Sequence, residues 1–194
     1  MSTAPQEARW LLQPRPHDPD DALDAWQTDA RGDLVDWFGE AVAAVWTPSL
    51  PAFAQRPVEG RAALFVADDG LSACQWTVDA APSSHVDVDA THEALLEGAL
   101  TVDHDDLSIG QWRLEQFTAI EVHHRRDDVD GDIWARVVVV ARTDALPDAT
   151  VVARCLTRSI AVAVGSARQL VPLFEYYADS GELTELLDAD RAEA

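Results

Sequence analysis

The densest group of side chains able to hold a metal ion is His85, Asp87, Asp89 and His92. In an extended segment the period of two puts His85, Asp87 and Asp89 on one side, and His92 would join from the first turn of a following helix. Imidazole with carboxylate suits zinc, manganese or non-haem iron. The same aspartates serve equally well as solvated loop residues and as favourable charges ahead of a helix N-terminus. The sequence therefore assigns no metal: the four residues are candidates only, and no cofactor is expected. Asp128-Val129-Asp130-Gly131-Asp132 begins like a calcium loop, but the sixth and twelfth places, which need glycine and glutamate, hold Ile133 and Val139. A hairpin turn tipped by Asp130-Gly131 is the better reading. His104, between Asp103 and Asp105, reads as part of an exposed acidic turn.

His123 and His124 form the other histidine pair, but neighbouring strand residues point to opposite faces. Only His123, near Glu121, would serve a site, as half of a histidine–carboxylate acid–base pair. No nucleophile frame accompanies it: no serine or cysteine lies in a Gly-x-Ser-x-Gly or comparable setting. The sequence leaves enzymatic activity undecided.

A larger constellation comes from alternation. Over residues 111–124, read as one strand, Trp112, Leu114, Ile120 and Val122 fall on one face and Arg113, Glu115, Phe117, Glu121 and His123 on the other. Over 132–142, Ile133, Ala135, Val137, Val139 and Ala141 form the core face, with Trp134, Arg136, Val138, Val140 and Arg142 opposite. The expected polar face thus gathers Arg113, Arg136, Arg142, Arg154 and Arg158 with Glu115, Glu121, His123, Phe117 and Trp134. Cross-strand Arg–Glu pairs are common furniture of a sheet surface, each worth under ~1 kcal/mol when exposed. The functional alternative is a pocket holding an anionic or aromatic ligand, with Arg113, Glu115, Phe117, Glu121, His123, Trp134, Arg136 and Arg154 as its lining.

Helices and turns must position these strands. Residues 1–19, rich in proline, read as a flexible N-terminal arm. Leu23, Trp26, Leu34, Trp37, Phe38, Val42 and Val45 recur at helical spacing, with Asp20 as N-cap and Gly32 dividing helices over about 21–30 and 33–46. Strands follow at 61–67 and 71–78, joined by Asp68-Asp69-Gly70. Thr91 then opens a short helix. Next comes a meander of three strands over 111–124, 132–142 and from Thr150, with residues 159–164 readable as strand or helix. A C-terminal helix covers about 166–178, is interrupted at Ser180-Gly181 and resumes over Glu182–Leu187. Seven tryptophans are available, of which Trp26, Trp37, Trp46 and Trp112 fit core positions.

The fold class expected is α+β: a single domain over 20–188, with a twisted antiparallel sheet (hairpin plus three-stranded meander) covered by helices on one face, and an acidic tail over 189–194. The order of elements is similar to that of the cone-shaped NTF2-like fold, in which a curved sheet and N-terminal helices enclose a pocket. The similarity is of element order alone, and the C-terminal helix departs from it.

Lysine and asparagine are absent, and 35 acids against 14 arginines give a net charge of −21 over 194 residues. That composition fits GC-rich coding, a high-salt cytoplasm, or both. The charge is uneven, because residues 107–168 hold as many arginines as acids while both flanking segments are strongly acidic. Phosphate backbones and anionic membranes would be repelled, so neither nucleic acid nor membrane is an expected partner. No signal peptide or membrane-length apolar run is seen. Cys74 and Cys155 are isolated and read as reduced, buried thiols of a cytoplasmic protein. The leading functional expectation is a non-enzymatic cytosolic binding or adaptor domain for an unknown protein or small-molecule partner, with a homodimer as one option. The alternatives are a small-molecule binder or enzyme using the arginine and aromatic sheet face, and an acidic mimic of nucleic acid.

Overall fold

A computed structural model of the protein describes residues 9–15, 18–54, 60–82, 108–113, 117–127, 133–143 and 146–193. The strands β1 (Trp10–Leu12), β2 (Arg61–Val66), β3 (Ala73–Pro82), β4 (Ser108–Arg113), β5 (Phe117–Asp127), β6 (Ile133–Thr143) and β7 (Leu146–Thr157) form one sheet. Their spatial order is β1-β2-β3-β7-β6-β5-β4, and every neighbouring pair is antiparallel. The helices are α1 (Asp20–Phe38), α2 (Glu40–Trp46), α3 (Leu50–Ala54), α4 (Ile160–Ala167), α5 (Leu170–Asp179) and α6 (Glu182–Glu193). The architecture is α+β with an open antiparallel sheet, as the sequence implies.

The first two helices divide where backbone freedom demands it. Gly32 lies inside α1, and the break falls at Gly39, whose φ of +86° only glycine adopts without strain. Pro19, not Asp20, is the N-cap of α1, and no side chain caps it. Trp26, Ala30 and Leu34, spaced by four, put one stripe of α1 into a core with Ala43, Trp46 and Leu50. Val45, expected in the apolar stripe, is exposed.

The expected free arm is tied down from Trp10. β1 adds to β2, and Trp10 and Leu11 are buried on opposite faces of the sheet. Trp10 donates its indole N–H to the Gln169 carbonyl and packs edge-on against Phe65 at 5.2 Å. Beyond β1, Arg15 bonds Glu185 of α6 at 2.8 Å. A triplet as short as Trp10–Leu12 carries no legible period, so proline content dominated the sequence reading. The stretch expected as an acidic tail over 189–194 lies, as far as Glu193, in the last helix, α6.

The expected single strand over 111–124 is two strands, β4 and β5, so the meander has four strands rather than three. Helices cover both faces instead of one. Trp76, Val78, Ala80, Val137, Val139, Val151, Ala153 and Cys155 face the α4–α6 layer, which supplies Ala163, Leu170, Leu173, Phe174, Tyr177 and Leu183. Leu11, Leu64 and Val66 face α1–α3 on the other side. Residues 160–164 are helix, and Pro172 sits in the first turn of α5, where its missing N–H costs nothing. Arg61 joins the α6 end to β2, with Nε 2.6 Å from Glu182 and Nη2 2.9 Å from Glu185.

Candidate functional site

The β2–β3 turn shapes one side of an open cleft. Asp69 Oδ1 accepts the backbone N–H of Leu71 at 2.9 Å and of Ser72 at 2.8 Å, while Oδ2 takes the Ser72 hydroxyl at 2.7 Å. These bonds, the Ser72 N–H first, hold the Asp69 carboxyl below its usual range. Gly70 is required beside it: its φ is +66°, and an added Cβ would lie 2.9 Å from the Phe38 ring. Its carbonyl accepts the Trp46 indole N–H at 2.7 Å, which fixes the turn to the end of α2. The turn so held projects Leu71 into solvent.

Between this turn, Trp46 and Phe53 of the N-terminal helices, and the end of β7 lies a cleft of about 360 Å³. That is near the lower end of ligand pockets, which run from about 300 to 1,000 Å³. Leu156, Thr157, Arg158 and Ser159 from the end of β7 also line it, with Cys74 and Gln75 from the start of β3. Trp46 and Phe53 are tilted rings 6.3 Å apart. Leu71 is 63% exposed and Leu156 55%, and both border the cleft. Two large apolar side chains thus remain in water on the rim of the recess.

A buried polar network lies behind the Cys74 wall. The Trp76 indole donates to Ser166 Oγ at 2.8 Å, and the Ser166 hydroxyl donates to the Ala163 carbonyl at 2.8 Å. Since the serine has one proton, the Cys74 thiol 3.2 Å away donates to its oxygen. The hydrogen bond from Cys155 lowers Cys74, with burial opposing. The same bond to Cys74 raises Cys155, and burial adds to it. Both cysteines are free and buried.

The chain matches no protein-family model, no curated protein and no solved structure. Its site is read from its own geometry, and the NTF2-like order of elements gains no support.

The register re-sorts the residues expected on one polar face. Glu121 pairs with Val139 and His123 with Val137, two valines that β6 turns toward α4–α6, and Phe117 pairs with Thr143 in the same alternation. Arg113, Trp134, Arg136 and Arg154 hold register positions on the other side, where Arg113 pairs with Thr118, Arg136 with His124 and Leu156, and Arg154 with Val138. Counting by twos across 111–124 failed because the chain reverses between β4 and β5. Glu115 and the candidates His85, Asp87, Asp89 and His92 lie outside the described residues. So do His104 and the turn over 128–132, whose flanks are strands. Among the described residues, no three histidine, cysteine or carboxylate groups stand together as metal ligands.

The face opposite α4–α6 is not uniformly polar. Val138, Val140 and Val152 are buried on it, whereas Arg142 and Arg154 are exposed. Arg154 Nη1 bonds Asp79 at 2.5 Å. The cleft residues were missed because Leu71 follows a turn and Leu156 alternates with Arg154 and Arg158. Each reads from sequence as an isolated surface leucine.

Proposed function

We propose that the chain is a binding domain whose cleft takes a segment of a basic protein, anchored by a large apolar side chain seated between Trp46, Phe53, Leu71 and Leu156. The exposed leucine pair flanking the cleft carries this reading. Fully burying a leucine is worth about 1.5–3 kcal/mol, so covering two half-exposed ones supplies roughly 2–4 kcal/mol. Association costs of about 4–15 kcal/mol exceed that, so the two leucines alone give no stable complex and charge must supply the rest. The net charge of −21 supplies that term for a cationic segment, raising its encounter rate and making binding sensitive to salt. The same charge repels a second copy of the chain, so a basic partner displaces the homodimer, and it repels nucleic acid. No helix among the described residues is long and apolar enough to cross a membrane. Two free buried thiols support a reducing, cytoplasmic setting.

The test is selection from a random peptide library displayed on a neutral carrier. Binders should carry arginine or lysine around one leucine, phenylalanine or tryptophan, and should weaken more than tenfold against Leu71→Asp/Leu156→Asp. Selected peptides that bind this variant as well as the parent would sink the reading.

A second reading rests on register. Arg142 and Arg154 are exposed on the face opposite α4–α6, Arg154 beside Asp79, and an anionic small molecule is the ligand class such a face would take. Arg142→Ala/Arg154→Ala should then abolish any thermal shift given by a panel of organic anions; a shift that persists contradicts it.

A further inference from the structure

We propose that the bound segment lies in the cleft as an extended strand, its backbone pairing with an edge of β3 that β7 leaves open. This mode of recognition rests on the cleft being the binding site. β3 and β7 pair from Pro82, opposite Ala149, only as far as Trp76, opposite Cys155. Both strands continue past that point. β3 stays paired with β2 back to Ala73, and β7 stays paired with β6 out to Thr157. The two strands therefore part at this end of the sheet, each still held by its other neighbour.

The cleft follows the parting. It meets residues 72–75 and 156–159, consecutive positions on both sides. A recess on one face of a sheet would meet only every second residue of a strand, because successive side chains alternate. Ala73 packs with the core that holds Trp46, whereas Cys74 belongs to the core under α4–α6. The cleft thus runs between the strands rather than over one face.

Backbone chemistry then sets the form of the ligand. In an antiparallel strand one residue directs its N–H and C=O to one neighbour and the next residue to the other. Among Ala73, Cys74 and Gln75, all paired with β2, at least one aims these groups to the side that β7 has left. Such an edge is a template for a further strand. The β7 side is less regular, since the Ser159 N–H bonds the Thr157 hydroxyl at 3.1 Å just ahead of α4. A strand beside β3 turns every second side chain toward Trp46 and Phe53, where an apolar residue fits. The net charge of −21 favours cationic residues at the positions between. Arg158, the one charged residue of the described lining, is already engaged within the protein.

The probe is a short amidated peptide alternating arginine and valine around a central leucine. Its affinity is measured by fluorescence anisotropy against the parent protein and Leu71→Asp/Leu156→Asp, and again after N-methylation of each peptide bond in turn. The expected result is a loss of more than tenfold in the double variant and on N-methylation at alternate positions, with little change between them. The unmodified peptide should also slow hydrogen exchange at the Cys74 or Gln75 amide by at least tenfold. Loss of binding in the double variant without an alternating N-methyl pattern would leave the cleft in place and overturn the strand. Binding that survives the double variant overturns the cleft and the strand together. A protein that ignores the peptide overturns both, and sedimentation as a dimer would then give the gap to a second copy of the chain.

Discussion

Strands β3 and β6 lie on either side of β7 and solve burial in different ways. β3 alternates strictly: Cys74, Trp76, Val78, Ala80 and Pro82 are buried, while Gln75, Thr77, Asp79 and Ala81 are only partly covered. In β6 the run Val137–Ala141 is buried without a break. Alternation marks a strand with one covered face, and a continuous apolar run marks one covered on both. The even-numbered valines of β6, expected beside arginines on a polar face, are instead an apolar centre bordered by arginines. A run of four valines satisfies the period of two and contradicts it at once, so the pattern alone could not say which face was wet.

Substitutions on the two strands break or sharpen this contrast. Trp76→Ala in β3 should have the largest effect, about 3–5 kcal/mol in denaturant unfolding, because the ring is fully buried against the α4–α6 layer. A loss under ~1 kcal/mol would show that this face is not the core. Ser166→Ala removes the acceptor of the Trp76 indole and should cost about 1–3 kcal/mol, because a buried donor is left without a partner. Partial recovery in Ser166→Thr would identify the hydroxyl as the cause. Val140→Thr should cost a similar ~1–3 kcal/mol, while Thr77→Val in β3 should change stability by less than about 0.5 kcal/mol. Equal effects at the two positions would erase the difference between the strands.

The smallest effect concerns charge on the acid-rich N-terminal side. Burial, followed by repulsion from Asp29 and Asp36, raises the Asp33 carboxyl above its ordinary range. The folded protein therefore holds that proton more tightly than the unfolded chain does. Folding takes up protons there, and stability falls as pH rises through the carboxylate range. Asp33→Asn should flatten this dependence and slightly raise the melting temperature at neutral pH; a lowered melting temperature would contradict the repulsion.

Fold class, the β2–β3 hairpin and the C-terminal helices were legible because each rests on a local signal: alternation, Asp-Asp-Gly, or spacing by three and four. What was not legible is non-local. The place of β1 depends on pairing with a strand some fifty residues away, and the arginine face depends on a reversal inside what reads as one alternating run. The candidate cleft was invisible for the same reason, since Trp46, Leu71 and Leu156 meet only once α2, the turn and the end of β7 are assembled. Trp46 itself was correctly read as a core residue, and its second role at the cleft wall adds no sequence signal.

The most direct measurement is a nitrogen–proton NMR titration of the protein with a selected basic peptide. Binding in the cleft predicts that the largest shifts fall on the Trp46 indole N–H, which lies beside the turn carrying Leu71, and on the amides of Leu71, Ser72 and Leu156. Shifts centred on Arg142 and Arg154, with the Trp46 indole unmoved, would contradict the cleft and hand the site to the arginine face.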